Sequence, residues 1–193
     1  MYLKTAIVLL FFTNCLFAQK EVRLQSPDGN IIFALTANEG IPVYSVTYKK
    51  NKLIENSSFN LTIEGHGLMQ KIFINKAPVF KAINENYKLV VGKASSVNNH
   101  CRQVIISLQD RMNMVYRVDL EVRAFNDGVA FRYLFPNQNA NGSFVLLDEN
   151  TQFKFTTDPI IKALPLPNFT SSHEGFYITT TLSKIKEDTL LDM

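Results

Sequence analysis

The chain has 193 residues, of which 46% are hydrophobic and 19% are charged, and its formal net charge is +3. This length suits one domain with a sizeable core. The basic residues are dispersed, and their densest run, Lys49–Lys52, has the composition of a solvated turn. We therefore expect no nucleic-acid partner, because nucleic-acid-binding domains usually carry a clustered basic patch.

The first eighteen residues have the pattern of a secretory signal peptide. Lys4 gives a short positive start, an apolar run follows from Ala6 to Phe12, and Ala18 is a small residue at a suitable cleavage position. The run is too short for a membrane span, which needs about 20 residues. We expect residues 1–18 to be removed, the protein to be periplasmic or secreted, and no membrane span to remain after cleavage.

We expect different roles for the two cysteines. Cys15 lies in the leader, where a lipid anchor or a retained N-terminal segment is the less favoured alternative, because the residues before it make a poor lipobox. Cys101 is the only cysteine of residues 19–193, so burial rather than a disulfide framework must stabilise the fold. We interpret Cys101 as a small buried residue, because no Cys–His signature of a nucleophile surrounds it.

Short runs rich in Val, Ile, Phe, Tyr and Thr alternate with turn residues along the rest of the chain. Such runs favour strands, and many short strands with regular turns favour a sandwich or barrel. No helical run of convincing length is present. We predict an all-β fold, with strands at Val22–Leu24, Ile31–Leu35, Val43–Tyr48, Leu61–Ile63, Lys71–Ile74, Tyr87–Val91, Gln103–Leu108, Met114–Phe125, Val129–Phe135, Phe144–Leu147, Thr151–Phe155 and Phe176–Thr181. Turns are expected between them, among others at Asn38–Gly40, Lys50–Asn51, Glu64–Gly67 and Asn139–Gly142.

The segment from Met114 to Pro136 gives the strongest strand signal. Apolar and charged residues alternate with a period of two before Asn126-Asp127-Gly128, and large apolar residues recur with the same period after it. The residues Asn126-Asp127-Gly128 tolerate the positive φ of hairpin turns. This predicts an antiparallel hairpin with one buried face. The expected core residues are Tyr116, Val118, Leu120, Val122, Phe131 and Tyr133.

The end of the chain differs in composition from what precedes it. Residues 158–167 are interrupted by prolines, residues 168–172 are polar, and a strand-and-loop pattern is still in progress at Met193. We therefore expect residues 19–193 to be one domain that is incomplete at its C-terminal end.

Common catalytic motifs are missing from the sequence. It contains no Gly-rich phosphate loop, no Gly-x-Ser-x-Gly elbow and no His-x-x-x-His pair. The three histidines, His66, His100 and His173, are far apart and have turn-like neighbours, so we interpret them as surface residues rather than metal ligands.

The carboxylates divide into two groups. Asp119 and Glu121 lie on the charged face of the hairpin beside Arg117 and Arg123, which favours cross-strand ion pairs over acid–base chemistry. Glu174, in His173-Glu174-Gly175-Phe176-Tyr177, follows a polar loop and has a glycine beside it that permits close backbone approach. It is the one unusual acidic position, although a solvated loop glutamate is the simpler interpretation of its sequence context alone.

Several blocks of residues together resemble one family. The most specific block is Arg123-Ala-Phe-Asn-Asp-Gly-Val-Ala-Phe-Arg-Tyr133. In their order and spacing, these blocks are similar to the N-terminal domain of glycoside hydrolase family 97 across nearly all of residues 19–193. The other blocks are Ser26–Asn30, Pro42–Tyr48, Glu149–Phe155 and His173–Tyr177.

The resemblance implies a fold and a function. It implies an antiparallel β-super-sandwich of the mutarotase-like kind, which precedes and packs on a (β/α)8 barrel. Members of the family cleave α-glucosidic or α-galactosidic bonds in oligosaccharides, and the barrel holds both the catalytic acid and the base or nucleophile. We therefore expect no catalytic residue in this chain, which ends before any barrel strand.

The resemblance also implies a metal. A calcium ion lies in the active site of the family, and the N-terminal domain contributes one glutamate to it. Glu174 is the matching position here, and carboxylate oxygens suit this hard cation. The chain departs from the family in having no Trp, whereas family members often carry aromatic residues before the loop with the glutamate.

Two other interpretations remain open. The chain could be a stand-alone, non-catalytic β-sandwich that binds carbohydrate or a partner protein. It could also be a mutarotase-like enzyme that acts alone, although no arrangement of His and Glu on strands supports this.

Overall fold

A computed structural model of the chain describes residues 21–64, 66–68, 70–112, 117–136, 145–168, 170, 172, 174–186 and 191–192. These residues form sixteen strands and a short 3-10 helix at Leu182–Lys184, and no α-helix occurs among them. The strands are β1 Glu21–Gln25, β2 Ile31–Thr36, β3 Asn38–Gly40, β4 Val43–Tyr48, β5 Asn51–Ser58, β6 Leu61–Ile63, β7 His66–Leu68, β8 Ile72–Ile74, β9 Val79–Lys88, β10 Ser96–Asp110, β11 Arg117–Ala124, β12 Val129–Leu134, β13 Leu146–Glu149, β14 Ile160–Pro165, β15 Ile178–Thr181 and β16 Leu191–Asp192.

Two main sheets dominate the fold. The first has four strands in the order β1-β2-β4-β5, and the second has six, in the order β12-β11-β10-β8-β3, with β9 also paired to β10. Two three-stranded sheets, β13-β6-β7 and β15-β14-β16, accompany them. Every strand pair is antiparallel. The predicted all-β, antiparallel architecture is confirmed.

The core lies where the inner faces of the two main sheets meet. Val22 and Leu24 of β1 and Phe33 and Leu35 of β2 belong to one cluster of buried residues with Val104, Ile106 and Leu108 of β10. Aromatic rings fill part of the space, because Tyr44 stacks on Phe59 with 4.5 Å between ring centroids and Phe131 meets Phe59 edge-on at 4.9 Å. The alternation of apolar residues along each strand is what brings these side chains to one face.

The predicted hairpin is present, and β11 pairs with β12 from Asp119–Leu134 to Ala124–Val129. Val118, Leu120 and Val122 are buried, and Phe131 and Tyr133 pack half-buried against the core. These five predictions are confirmed. Tyr116, the sixth predicted core residue, lies outside the described residues.

Besides the short strands β3, β7 and β16, three longer strands were not predicted, namely β5, β9 and β14. The first two are rich in polar residues, and β14 ends in a proline, so each lacks the expected composition. Hydrogen-bonded pairing with neighbouring strands gives them the strand conformation that their own composition does not predict. β9, for example, pairs with β10 over ten successive positions, from Ser96–Lys88 to Ile105–Val79.

Some predictions of local structure were wrong, among them the turn Glu64–Gly67, because His66 and Gly67 belong to β7. The predicted strand Tyr87–Val91 straddles the end of β9, and a turn follows, in which the backbone N–H of Leu89 donates to the carbonyl of Ser95 at 3.1 Å. Thr151–Phe155 is irregular and makes a single bridge, between Phe155 and Ile54. Asn38–Gly40, expected to be a turn, forms a strand because β8 pairs with it.

No helix long and apolar enough to cross a membrane occurs in the described part of the chain. The predicted signal peptide, residues 1–18, and the predicted turn at Asn139–Gly142 lie outside that part.

Candidate functional site

Glu174 lies in the connection between β14 and β15, shortly before β15 begins. The two strands pair from Ile160–Thr181 to Ala163–Ile178, so the connection starts and ends at one end of this small hairpin. The Glu174 side chain is exposed. Its carboxylate is therefore available to a group that approaches from outside the domain.

The residue after Glu174 packs closely against β14. A Cβ atom added to Gly175 would lie only 3.0 Å from Cδ1 of Leu164, a side chain that is 3% exposed. Glycine therefore suits this position for lack of space rather than for an unusual φ. The contact holds the connection, and with it Glu174, against the hairpin, as the expected close backbone approach requires.

The surroundings of Glu174 provide few other metal ligands. Among the described residues, no group of three or more His, Cys, Asp and Glu side chains is placed to hold an ion. His173 lies outside the described residues. Calcium takes about six to eight oxygen ligands. Glu174 fits a calcium site as one ligand among several that another part of the protein would have to supply.

Large apolar side chains next to Glu174 are exposed. Phe176 is 95% exposed, Tyr177 is 66% exposed and Ile178 is 40% exposed. We call Glu174, Phe176, Tyr177 and Ile178 together the Glu174 face. Contiguous exposed apolar side chains often mark a surface that contacts another protein surface.

The charged face of β11 forms ion pairs. The pair between Glu121 and Arg132 crosses strands as predicted, whereas the pairs of Glu121 with Arg123 and of Asp119 with Arg117 lie within β11. Glu121 lies directly opposite Arg132 of β12. Its Oε2 accepts hydrogen bonds from Nη2 and Nε of Arg132 at 2.7 and 3.1 Å, and its Oε1 lies 2.9 Å from Nε of Arg123. Asp119 pairs with Arg117 at 3.4 Å. Because guanidinium groups occupy both oxygens of Glu121, this carboxylate has a structural role.

Cys101 and His100 lie in β10 and have contrasting environments. Cys101 is 1% exposed, and burial raises the pKa of its thiol, which keeps it protonated and unreactive. His100 is exposed, as expected of a surface residue, but the predicted turn-like setting was wrong because the segment pairs with β9. His66 likewise belongs to a strand, β7, through its pairing with β6.

A second feature, an apolar cleft, was not predicted. It opens at the end of the sandwich that carries the turn Asn126–Gly128, and its volume is about 450 Å³. The turn and the block Glu149–Phe155 were noted in the sequence, but the sequence does not show that the two sheets leave space between them here. The lining residues are Ile31, Tyr44, Val46, Tyr48, Leu53, Ile54, Asn126, Asp127, Gly128, Val129, Phe131 and Phe153.

The chain is similar in sequence and in fold to known glycoside hydrolases. It is 25% identical to a retaining alpha-galactosidase of Bacteroides thetaiotaomicron over 194 aligned positions, which cover 96% of this chain and 28% of that protein. A glycoside hydrolase family 97 enzyme of Pseudoalteromonas sp. strain K8, solved with panose, superposes with a TM-score of 0.74 at 24% identity. That match covers 84% of this chain and 25% of the enzyme.

Two further structures share the fold. The Pseudoalteromonas enzyme solved with acarbose superposes with a TM-score of 0.72 at 24% identity, covering 82% of this chain and 24% of the enzyme. A beta-arabinopyranosidase superposes with a TM-score of 0.66 at 23% identity, covering 75% and 22% of the respective chains. The chain thus spans about a quarter of the length of these relatives.

The family itself follows from the sequence match. Residues 24–191, which are most of the chain, match the sequence model of the family described as "Glycosyl-hydrolase 97 N-terminal". The resemblance of the individual sequence blocks is thereby confirmed, and the chain belongs to the family of N-terminal domains of glycoside hydrolase family 97.

Proposed function

We propose that this chain is the non-catalytic N-terminal domain of an exported glycoside hydrolase that acts on α-glucosidic or α-galactosidic bonds in oligosaccharides. The observation that carries the proposal is the family match over residues 24–191. Its relatives include a protein named retaining alpha-galactosidase and an enzyme solved with panose and with acarbose. Export rests on the signal-peptide pattern of residues 1–18 and would place the protein in the periplasm or outside the cell.

In the protein that we propose, the catalytic groups lie in a (β/α)8 barrel domain. Glycoside hydrolysis uses two carboxyl groups, roughly 5–10 Å apart, on either side of the scissile bond. Glu121, the most buried carboxylate on the polar face of the hairpin, is held by two guanidinium groups and has a structural role. The chain spans 28% of the length of the alpha-galactosidase, and the remainder is long enough to hold such a barrel.

The domain's own contribution to the active site is Glu174. Its exposed carboxylate would be one ligand of a calcium ion, and carboxylates of the barrel would complete the coordination shell. When bound, the ion would supply positive charge at the junction of the two domains. The apolar residues of the Glu174 face would be covered by the same contact.

The experiment compares calcium binding by matched variants of a protein that carries this domain and its barrel. Glu174→Gln keeps the size of the side chain but removes its charge, so we expect calcium affinity to fall by about tenfold or more, together with activity. Glu85→Gln is the control, because Glu85 is an exposed carboxylate of β9, in a different sheet. It should leave the affinity unchanged.

Calorimetric titration with calcium measures the affinities, and circular dichroism verifies that each variant is folded. Equal calcium affinities and equal rates of hydrolysis for the wild type and Glu174→Gln would show that Glu174 is an ordinary loop glutamate and does not bind calcium.

A further inference from the structure

The apolar cleft has a mouth that is held in shape by the turns of both main sheets. The turn between β1 and β2 contains Asp28, and the turn between β11 and β12 contains Asn126. The backbone N–H of Asp28 donates to Oδ1 of Asn126 at 3.1 Å, and this bond ties the two turns together beside the opening.

Aromatic rings line the cleft. Phe131 and Phe153 are stacked, with 5.9 Å between their centroids and 23° between their planes. Tyr44 meets Phe153 edge-on at 6.4 Å, and its hydroxyl donates to the carbonyl of Gln152 at 2.7 Å. The Tyr44 hydroxyl thus has its partner within the domain, and the ring itself offers a ligand apolar contact.

The mouth combines exposed rings with polar groups of both signs. Phe153 is 53% exposed and Tyr48 is 37% exposed. Nζ of Lys49 lies 5.1 Å from the centroid of the Tyr48 ring. Asn126 and Asp127 also line the cleft and are exposed, and they provide an amide donor and a carboxylate acceptor.

From this arrangement we infer that the cleft is an accessory binding site for a neutral pyranoside, such as a short α-linked oligosaccharide. A pyranose ring has one face of C–H groups, which suits the negative face of an aromatic ring, and hydroxyls at its edge, which suit Asn126 and Asp127. Lys49 and Asp127 place charges of opposite sign beside the mouth, which favours a neutral ligand over an ionic one. The volume of about 450 Å³ lies within the usual range of small-ligand sites, about 300–1,000 Å³.

Such a site would act independently of Glu174. The cleft lies between the main sheets, whereas Glu174 lies in the connection between β14 and β15, which belong to a small sheet. A weak sugar site attached to a hydrolase raises the local concentration of substrate chains, since a second binding event on one chain becomes intramolecular. The inference therefore stands or falls separately from the calcium proposal.

The test titrates the purified chain with panose and follows binding by saturation-transfer NMR and calorimetry. We expect saturable binding with a Kd on the order of 1 mM. Phe153→Ala removes an exposed ring of the cleft and should weaken binding by about tenfold or more. Phe80→Ala is the matched control, because Phe80 is 56% exposed on β9 and does not line the cleft, and it should leave the Kd unchanged.

A second variant keeps the test decisive if Phe153→Ala fails to fold. Asp127→Asn changes one exposed rim group, should preserve the fold, and should weaken panose binding several-fold. The inference would be overturned if no binding were detected at panose concentrations well above the expected Kd. It would also be overturned if neither cleft variant altered panose binding. Occupation of the cleft by the apolar dye ANS without displacement by panose would also overturn it, and would assign the cleft to an apolar partner instead.

Discussion

Single side chains of β11 show how alternation decides burial on both faces of a strand. Val118, Leu120 and Val122 face the core and are at most 3% exposed. Glu121, on the other face, is nevertheless only 5% exposed. The inward residues could be predicted from the period of two, but the burial of Glu121 could not, because it depends on Arg132, which comes from a different strand.

Leu120 provides the most direct stability test at this scale. It is fully buried in the cluster between the main sheets. Leu120→Ala should lower the free energy of unfolding by about 2–5 kcal/mol, through lost transfer free energy and the cavity left behind. Urea denaturation followed by circular dichroism measures the change. A change near zero would mean that the faces of β11 are reversed.

Asp28 carries a prediction about pH. Its carboxylate accepts hydrogen bonds from the Ser26 hydroxyl at 2.5 Å, from the Asn30 backbone N–H at 3.0 Å and from the Asn30 side chain at 2.6 Å. The Ser26 bond is the largest of the causes that hold the pKa of Asp28 below its ordinary value of 3.8. A depressed carboxyl pKa stabilises the fold at pH values above 3.8, and this contribution disappears as the pH falls through the folded-state pKa.

An NMR titration of the side-chain carboxyl carbon measures this pKa directly. We expect a midpoint below 3.8 for the wild type and a value closer to 3.8 in Ser26→Ala, which removes the strongest donor. A wild-type pKa at or above 3.8 would show that these hydrogen bonds do not form in solution.

At the scale of strands, local composition predicts the strands that are rich in apolar or β-branched residues. β2 and β11 could be found in this way, whereas β5 and β9 could not. β9 has a single buried residue, Ile83, among ten, and its strand conformation comes from pairing with β10. Pairing between distant segments cannot be read from the local pattern of a single sequence.

The hairpin of β14 and β15 can be tested through Gly175. Gly175→Ala would place a Cβ atom about 3 Å from the buried Leu164, and such overpacking costs about 1–3 kcal/mol. Leu164→Ala alone should cost about 2–5 kcal/mol because it leaves a cavity. In the double variant the added methyl group occupies part of that cavity, so we expect the combined loss to be smaller than the sum of the single losses.

A double-mutant cycle of unfolding free energies measures this coupling. Losses that add within error would show that Gly175 and Leu164 do not touch, and would remove the steric reason for glycine beside Glu174.

At the scale of the whole molecule, the structure presents a domain with two separate surfaces. The Glu174 face carries exposed aromatic residues and one carboxylate, and the apolar cleft opens between the two main sheets. The family could be predicted from sequence blocks, whereas the role of Glu174 stays a prediction. The cleft could not, because it is a property of how the sheets pack rather than of any block.

The chain by itself should have no glycosidase activity on aryl α-glucosides or aryl α-galactosides. A proton donor and a base or nucleophile must converge on the scissile bond, and the proposal places both in the barrel domain. Release of the chromogenic aryl group by the purified chain measures the activity. Turnover that a point substitution within residues 19–193 abolishes would contradict the assignment of catalysis to the barrel.

The central claim is that this domain docks on a catalytic domain through the Glu174 face. Hydrogen–deuterium exchange tests it most directly, by comparing the chain alone with a protein that carries both domains. We predict slower exchange in residues 174–181 of the two-domain protein, because docking would exclude water from amides next to Phe176 and Tyr177, which are 95% and 66% exposed here. Residues 126–129, at the mouth of the cleft, should exchange equally in both. Unchanged exchange across residues 174–181, with protection confined to other segments, would contradict the account.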